Sequence, residues 1–277
     1  MRSAVLGAIR LVHPAPTLAV TALSGALAFI LARETNGPID GAAVALTTAA
    51  VFGSQVFTGA INDVVDQARD ASLRPDKPLP AGDLSASAAL WIAAAGLAVQ
   101  LVASGRLGTA SLVLGAAATG SAFVYNLWLS RTPLSVVPYM ISFGLLPLWV
   151  ASGVDVPLAR VAPAVLLVAP FAAAAHLANT LRDFEADAAV GSRCLAQVLG
   201  RERGQLVAVV LAVGVAIGVG ISFLAGGQLA PAPLVLGLVG LVAILRGATD
   251  PQRLWQGILA AAVLWTVAWG LASGPPG

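Results

Sequence analysis

Charge is what this sequence has least of. Only 28 of its 277 residues are charged (15 Lys and Arg, 13 Asp and Glu). That is 10%, where a soluble domain carries about 25%. Such a chain cannot clothe a water-facing surface of this size, which excludes a disordered segment and an ordinary soluble enzyme. Cysteine is nearly absent as well. Cys194 stands alone, so there is no intrachain disulfide, no secreted disulfide scaffold and no cysteine cluster for zinc. The only two histidines, His13 and His176, lie far apart. A net charge of +2 is too small to point to nucleic acid as a partner. What is present is apolar: 58% hydrophobic residues and a mean hydropathy of +0.89, the composition of a polytopic, all-α membrane protein.

A transmembrane helix needs about 20 apolar residues. Cutting the chain at charges and at Gly/Pro/Asp clusters leaves nine candidates: 15–33, 42–66, 84–104, 107–128, 134–152, 157–181, 204–225, 230–248 and 253–273. Their Ala, Gly, Leu and Val content suits close helix packing in lipid. The first run, with Arg2 and Arg10 ahead of it, resembles a signal peptide but is long for a cleavable one. It reads as a retained first span. Twelve of the 15 basic residues then fall on the side that carries the N-terminus, and only Arg33, Arg106 and Arg160 on the other. The positive-inside rule places the N-terminus in the cytoplasm, in an inner or plasma membrane. The acids crowd onto the same side, except Glu34, Asp40 and Asp155. Topology does not ask for acids there.

Many of those acids belong to a motif that occurs twice. Asn62, Asp66 and Asp70 are spaced N-x-x-x-D-x-x-x-D, and Asn179, Asp183 and Asp187 repeat the spacing 117 residues later. Each motif ends a span, the second and the sixth, which implies two four-helix pseudo-repeats, about 15–128 and 134–248, plus a final helix. Residues i, i+4 and i+8 advance by about 40° per step on a helix, so each motif offers an amide and two carboxylates on one stripe. Two such stripes packed together make a pocket of four carboxylates, repulsive unless cations occupy it. Hard oxygen ligands without Cys or His favour Mg²⁺, which is held by one or two carboxylates and completed by substrate phosphates. The basic residues nearby (Arg69, Arg74 and Lys77 after the first motif, Arg131 after the fourth span, Arg182 and Arg193 around the second motif) suit a diphosphate bridging metal and guanidinium. His176 lies on the motif face of its helix, where it can orient an acceptor or take its proton, or simply bond between helices. Asn179 is grouped with it.

Asn62, Asp66 and Asp70, the following Arg74-Pro-Asp-Lys77-Pro, the Tyr125-Asn126 pair, and Asp183 with Asp187 resemble the UbiA superfamily of intramembrane prenyltransferases over nearly the whole chain. The resemblance implies nine helices around a lipid-open central cavity. It implies Mg²⁺ at Asn62, Asp66 and Asp70 and at Asp183 and Asp187, and an isoprenyl diphosphate contacted by Arg74, Lys77 and Arg131. Many members carry a lysine at the place of Arg131. The implied chemistry is ionisation of the allylic C–O bond, with Tyr125 placed to stabilise the cation, followed by attack of a small-molecule acceptor inside the bilayer. A terpene cyclase on the same scaffold would ionise the same donor and differ only in product. A secondary transporter would place its acids near the midplane between inverted repeats, whereas these lie at helix ends. A CDP-alcohol phosphotransferase would show one long DG/AR/G pattern, which is absent.

Overall fold

The computed structural model describes residues 2–34, 38–225 and 231–272. All regular structure among them is helical. An N-terminal helix α1 (Arg2–Leu11) precedes α2 (Pro14–Arg33), α3 (Gly41–Leu73), α4 (Ala86–Arg106) and α5 (Thr109–Leu127). There follow α6 (Val136–Gly153), a short α7 (Leu158–Val161), α8 (Val165–Arg182), the short α9 (Phe184–Ala189) and α10 (Leu195–Leu199), and then α11 (Arg201–Ala225), α12 (Pro231–Leu245) and α13 (Pro251–Ala272).

Local chemistry sets several starts. Asp40 accepts the backbone N–H of Ala42 and Ala43 and caps α3, and Ser85 accepts that of Ala88 and caps α4; each satisfies donors a helix start leaves open. Pro14, Pro231 and Pro251 open their helices, where a missing N–H costs nothing. Large apolar side chains point outward on most spans, among them Leu18, Trp91, Leu166, Leu206 and Leu238. In water that would be an error; facing lipid it is the requirement.

Among the described residues eight segments are long and apolar enough to cross a membrane, so the chain is an integral multi-pass membrane protein. The eighth expected span, 230–248, differs. Its described part is α12, only 15 residues long, about 22 Å against a hydrocarbon core of about 30 Å. Turns at Gly247 and Asp250 end it early and fold it back on α13. The second span differs in the other direction. The expected span ends at Asp66 and the motif carries its helix on to Asp70; α3 runs 33 residues to Leu73, about 50 Å. The helix continues because its charged end finds partners, including Asp66 with Arg69 one turn on. The spacing gave no warning of α1.

The helices pack in sequence and then close. The helix α3 contacts α2, α4 and α5; α5 leads through α6 to α8; α8 meets α11 and α13; and α13 returns to α2. Small residues fill the seams, as in Ala174, Ala178, Ala208, Ala212 and Ala261 between α8, α11 and α13. The tightest approach that bears on the site joins α3 to α4. A Cβ on Gly53 would lie 2.5 Å from the Gly96 carbonyl oxygen, and one on Gly96 would lie 2.8 Å from that of Gly53. These are backbone atoms, so nothing can swing aside. Gly96→Val should therefore lower the stability of the purified protein by about 1–3 kcal/mol, read as a lower melting midpoint in detergent, whereas Gly105→Ala, at an open position, should leave it nearly unchanged.

Candidate active site

Alternating chain direction brings the last turns of α3, α5 and α8 and the first turns of α2, α4, α6 and α11 to one end of the bundle. Both Asp motifs lie there. Asn62, Asp66 and Asp70 sit on α3, as their spacing required. The second motif is not on one continuous helix, which corrects the sequence reading. The helix α8 stops at Arg182, Asp183 leaves helical geometry (φ −98°, ψ 14°), and Asp187 belongs to α9. The spacing survives because the Asp187 N–H still bonds the Asp183 carbonyl across the break at 2.8 Å. Beside the break, the Arg182 guanidinium lies 4.4 Å over the Trp255 ring and donates to Asn179 Oδ1 at 3.2 Å.

A second correction concerns charge. The four carboxylates do not converge on one open pocket. Among the described residues no three of His, Cys, Asp and Glu are close enough to form a metal cage by themselves. Basic side chains are threaded between them instead. Arg69 on α3 reaches Asp187 and lies 3.7 Å from Asp66. Arg74, which caps α3, donates to Asp183 at 2.8 Å. Arg131 donates to Asp66 at 2.6 Å, and Lys77 donates to Asp70 at 2.7 Å. Two of these contacts, Arg69–Asp187 and Arg74–Asp183, join one motif to the other. Burial pushes the Asp187 carboxyl above the usual carboxylate range, with nearby Asp183 adding to the shift and Arg69 opposing it.

The remaining anticipated residues are also at this end, in unequal roles. Asn62 donates its amide to Asn126 Oδ1 at 3.3 Å, and Asn126 is held by the Thr58 carbonyl at 2.9 Å. That orientation turns the carbonyl oxygen of Asn62, the atom a cation needs, away from the pair. Arg193 is exposed, and its backbone N–H bonds the Arg131 carbonyl at 3.2 Å, so the two basic segments are tied together. His176 is fully buried and bonded through Nε2 to Ser135 Oγ at 2.9 Å. Ser135 also accepts the Leu195 N–H. His176 thus makes the interhelical bond, while its Nδ1 has no partner among the described residues. Tyr125 packs edge-on against His176 (5.7 Å between centroids) and Tyr139 (5.2 Å), and Tyr139 lies 4.6 Å from His176.

Sequence reasoning missed three of these. Tyr139 carries no spacing signal that links it to the motifs. Asp63, adjacent to Asn62, was passed over because it falls outside the repeat, yet it is 2% exposed and bonds both Lys77 at 2.8 Å and His13 at 3.0 Å. His13 carries no motif or spacing that ties it to the site. No sequence signal marks Asp63: its burial, which requires cations near it, is visible only in the structure.

The donor set fits Mg²⁺. All candidate ligands are hard oxygens, and Cys194 is buried in the core between α8 and α11. Each motif supplies the one or two carboxylates that Mg²⁺ takes from protein, with phosphate oxygens completing the shell.

Comparison with known proteins follows the same lines. The model of the UbiA prenyltransferase family matches residues 18–257. The chain belongs to that family. It is similar, at 31% identity over 94% of this chain and 96% of the relative, to the digeranylgeranylglyceryl phosphate synthase of Halobacterium salinarum. Its fold is similar to that of a UbiA homologue of Archaeoglobus fulgidus solved with GPP and Mg²⁺ (TM-score 0.73, 18% identity, 96% of this chain and 99% of that one). It is likewise similar to a UbiA homologue of Aeropyrum pernix (TM-score 0.74, 21% identity, 91% and 96%). As a UbiA-family prenyltransferase, the protein has its paired Asp motifs at one end of the bundle, bridged by Arg69 and Arg74.

If the cross-motif pairs serve chemistry and not folding, the two effects will separate. The Arg74–Asp183 pair is close to half exposed on both sides, so Arg74→Ala should cost less than about 1 kcal/mol of stability. The same change should lower kcat/KM about 10- to 150-fold through a lost charged hydrogen bond. Thermal melting and initial rates on one preparation check both.

Proposed function

We propose that this protein transfers an isoprenyl group from an isoprenyl diphosphate to an electron-rich acceptor within the membrane and releases diphosphate, and that it needs Mg²⁺ to do so. The observation that carries this reading is the interleaving of four carboxylates with Arg69, Arg74, Lys77 and Arg131 at one end of the bundle. Neither charge set alone has a use there. Together they match a dianionic or trianionic diphosphate with its metal: carboxylates for the ion, guanidinium and ammonium groups for the phosphate oxygens. The Archaeoglobus homologue's complex with GPP and Mg²⁺ supports the same pairing of ligands.

In this reading Asn62, Asp66 and Asp70 hold one ion and Asp183 and Asp187 the other. Mg²⁺ there would draw charge from the leaving diphosphate. Arg74, Lys77, Arg131 and Arg193 bind its oxygens, exchanging their present carboxylate partners for phosphate. As the C1–O bond breaks, its electron pair leaves with the diphosphate and an allylic cation remains. Tyr125, Tyr139 and His176 wall the interior beside the site, and their ring faces stabilise positive charge while keeping water out. The acceptor attacks C1 and then loses its proton. His176 Nδ1, buried and without a partner among the described residues, is placed on this wall, and with Asn179 it orients the acceptor.

The two motifs each close the second span of a four-span block, which supports a duplicated unit over about 15–128 and 134–248. The basic bias of this end supports a site opening to the cytoplasm. The name of the Halobacterium relative makes a prenylated glyceryl phosphate the first acceptor to offer, with aromatic acids and quinone precursors beside it.

The test is diphosphate release by the purified protein in nanodiscs, given isoprenyl diphosphates of several lengths and each acceptor, with Mg²⁺ or with EDTA. Release should require metal, fall at least 100-fold in Asp66→Asn and in Asp183→Asn (about 2.7 kcal/mol), and yield an acceptor adduct. Metal-dependent release with only a donor-derived hydrocarbon or alcohol would overturn transfer in favour of cyclisation.

A further inference from the structure

The corner between α1 and α2 is built in a way that neither helix requires. His13, at the start of α2, has φ 49° and ψ 69°, the left-handed region that a non-glycine residue enters at a cost of about 1–2 kcal/mol. The corner is pressed onto α3: a Cβ on Gly59 would lie 3.3 Å from both His13 Cδ2 and the backbone of Val12. One turn further along α3, Asp63 accepts from His13 Nε2 at 3.0 Å. The same Asp63 oxygen accepts from Lys77 Nζ at 2.8 Å, and the ammonium also donates to Asp70 at 2.7 Å. Beside an oxygen already occupied by an ammonium, His13 can only be a donor.

The segment that carries Arg74 and Lys77 is neither helix nor strand between Leu73 and Ala86; its own turns hold it locally, and contacts from outside fix its place against the bundle. The helix α1 does so at three points. Arg10 donates to the Asp76 carbonyl at 2.7 Å and to its carboxylate at 3.1 Å. Gly7 sits so near Asp83 and Leu84 that a Cβ would come within 3.1 and 3.2 Å of them. Leu11 is fully buried in one cluster with Leu79, Ala60 and Ile61.

We propose that His13 is a positioning residue for the diphosphate site: through Asp63 it fixes the place of the Lys77 ammonium. Asp63 lies outside the repeated motif and is almost wholly buried, so it stays as the counter-ion of Lys77 when Asp70 turns to a metal. His13 holds that carboxylate in one orientation. Without it, Asp63 is free to rotate, Lys77 settles on Asp70, and the ammonium then competes with the cation Asp70 is meant to bind. The strained backbone at His13 is the cost of bringing an imidazole donor from the α1–α2 corner to a buried acid on α3. The proposal rests on the placement of Lys77 at the diphosphate given above.

The test measures affinity for geranyl S-thiolodiphosphate, an analogue that resists ionisation, on the full-length protein in nanodiscs with Mg²⁺, so that no acceptor is needed. His13→Ala should raise Kd about tenfold. His13→Gln, whose amide reaches the same oxygen, should recover most of the loss. In a Lys77→Met background, His13→Ala should add little, because both changes act through one ammonium. An unchanged Kd in His13→Ala, no recovery in His13→Gln, or full additivity in the double variant would each overturn the proposal. If Lys77→Met itself binds like wild type, the diphosphate role of Lys77 fails and this inference falls with it. If Lys77→Met weakens binding and His13→Ala does not, only the inference falls. Melting midpoints of all variants accompany the measurement, and a Kd loss that follows the midpoint through His13→Gln counts against positioning.

Discussion

Carboxylates gathered at the ends of two neighbouring membrane helices repel one another, and at the edge of a low-dielectric slab that repulsion is poorly screened. Positive charge must be placed among them or the helices must part. Here Arg69 on Asp187 and Arg74 on Asp183 bridge the end of α3 to the end of α8, so the two motifs are joined by ion pairs. The length of α3, the break after Arg182 and the course of the loop beyond Leu73 all follow from satisfying these charges beyond the hydrocarbon core.

Such an arrangement also suits turnover. A site of bare carboxylates would need its metal in order to fold, whereas one with paired cations can hold its shape before and after diphosphate departs. In the proposed reaction each guanidinium would exchange a carboxylate for a phosphate oxygen, similar in geometry and charge, so loading would trade partners without unmaking the helix ends. Lys77 differs from Arg69, whose two acids both belong to the motifs, in having one acid inside the motif and one outside it. The buried acid outside the motif is what links the site to the N-terminal helix.

How much of this was legible in the sequence depended on whether the signal was local. The three-residue stripe on α3 was readable from spacing alone, because positions four apart share a helix face. The span pattern was readable from runs of apolar residues, except at α12, where turns at Gly247 and Asp250 shortened a run that hydropathy could not divide. The span bound at Asp66 does not mark the end of α3, which the motif spacing already carries to Asp70 and which Asp66 and Arg69 extend past the lipid. The break at Asp183 had no sequence mark: nothing in Arg182-Asp183-Phe184 is a helix breaker, and the turn is set by partners on other helices. Tyr139, Asp63 and His13 were invisible for the same reason, since their roles exist only through contacts between distant segments. The helix α1, ten residues with Val5, Leu6 and Ile9 exposed and Leu11 buried, is too short to stand out beside the long spans.

The most direct measurement is a structure of the protein in lipid with Mn²⁺ in place of Mg²⁺ and a non-ionising isoprenyl diphosphate analogue, with the metal located by its anomalous signal. Metal at both motifs, with Arg69 and Arg74 released from Asp187 and Asp183 onto phosphate oxygens, is the predicted result. Metal absent from either motif, or both cross-motif ion pairs intact with the diphosphate bound elsewhere, would contradict it.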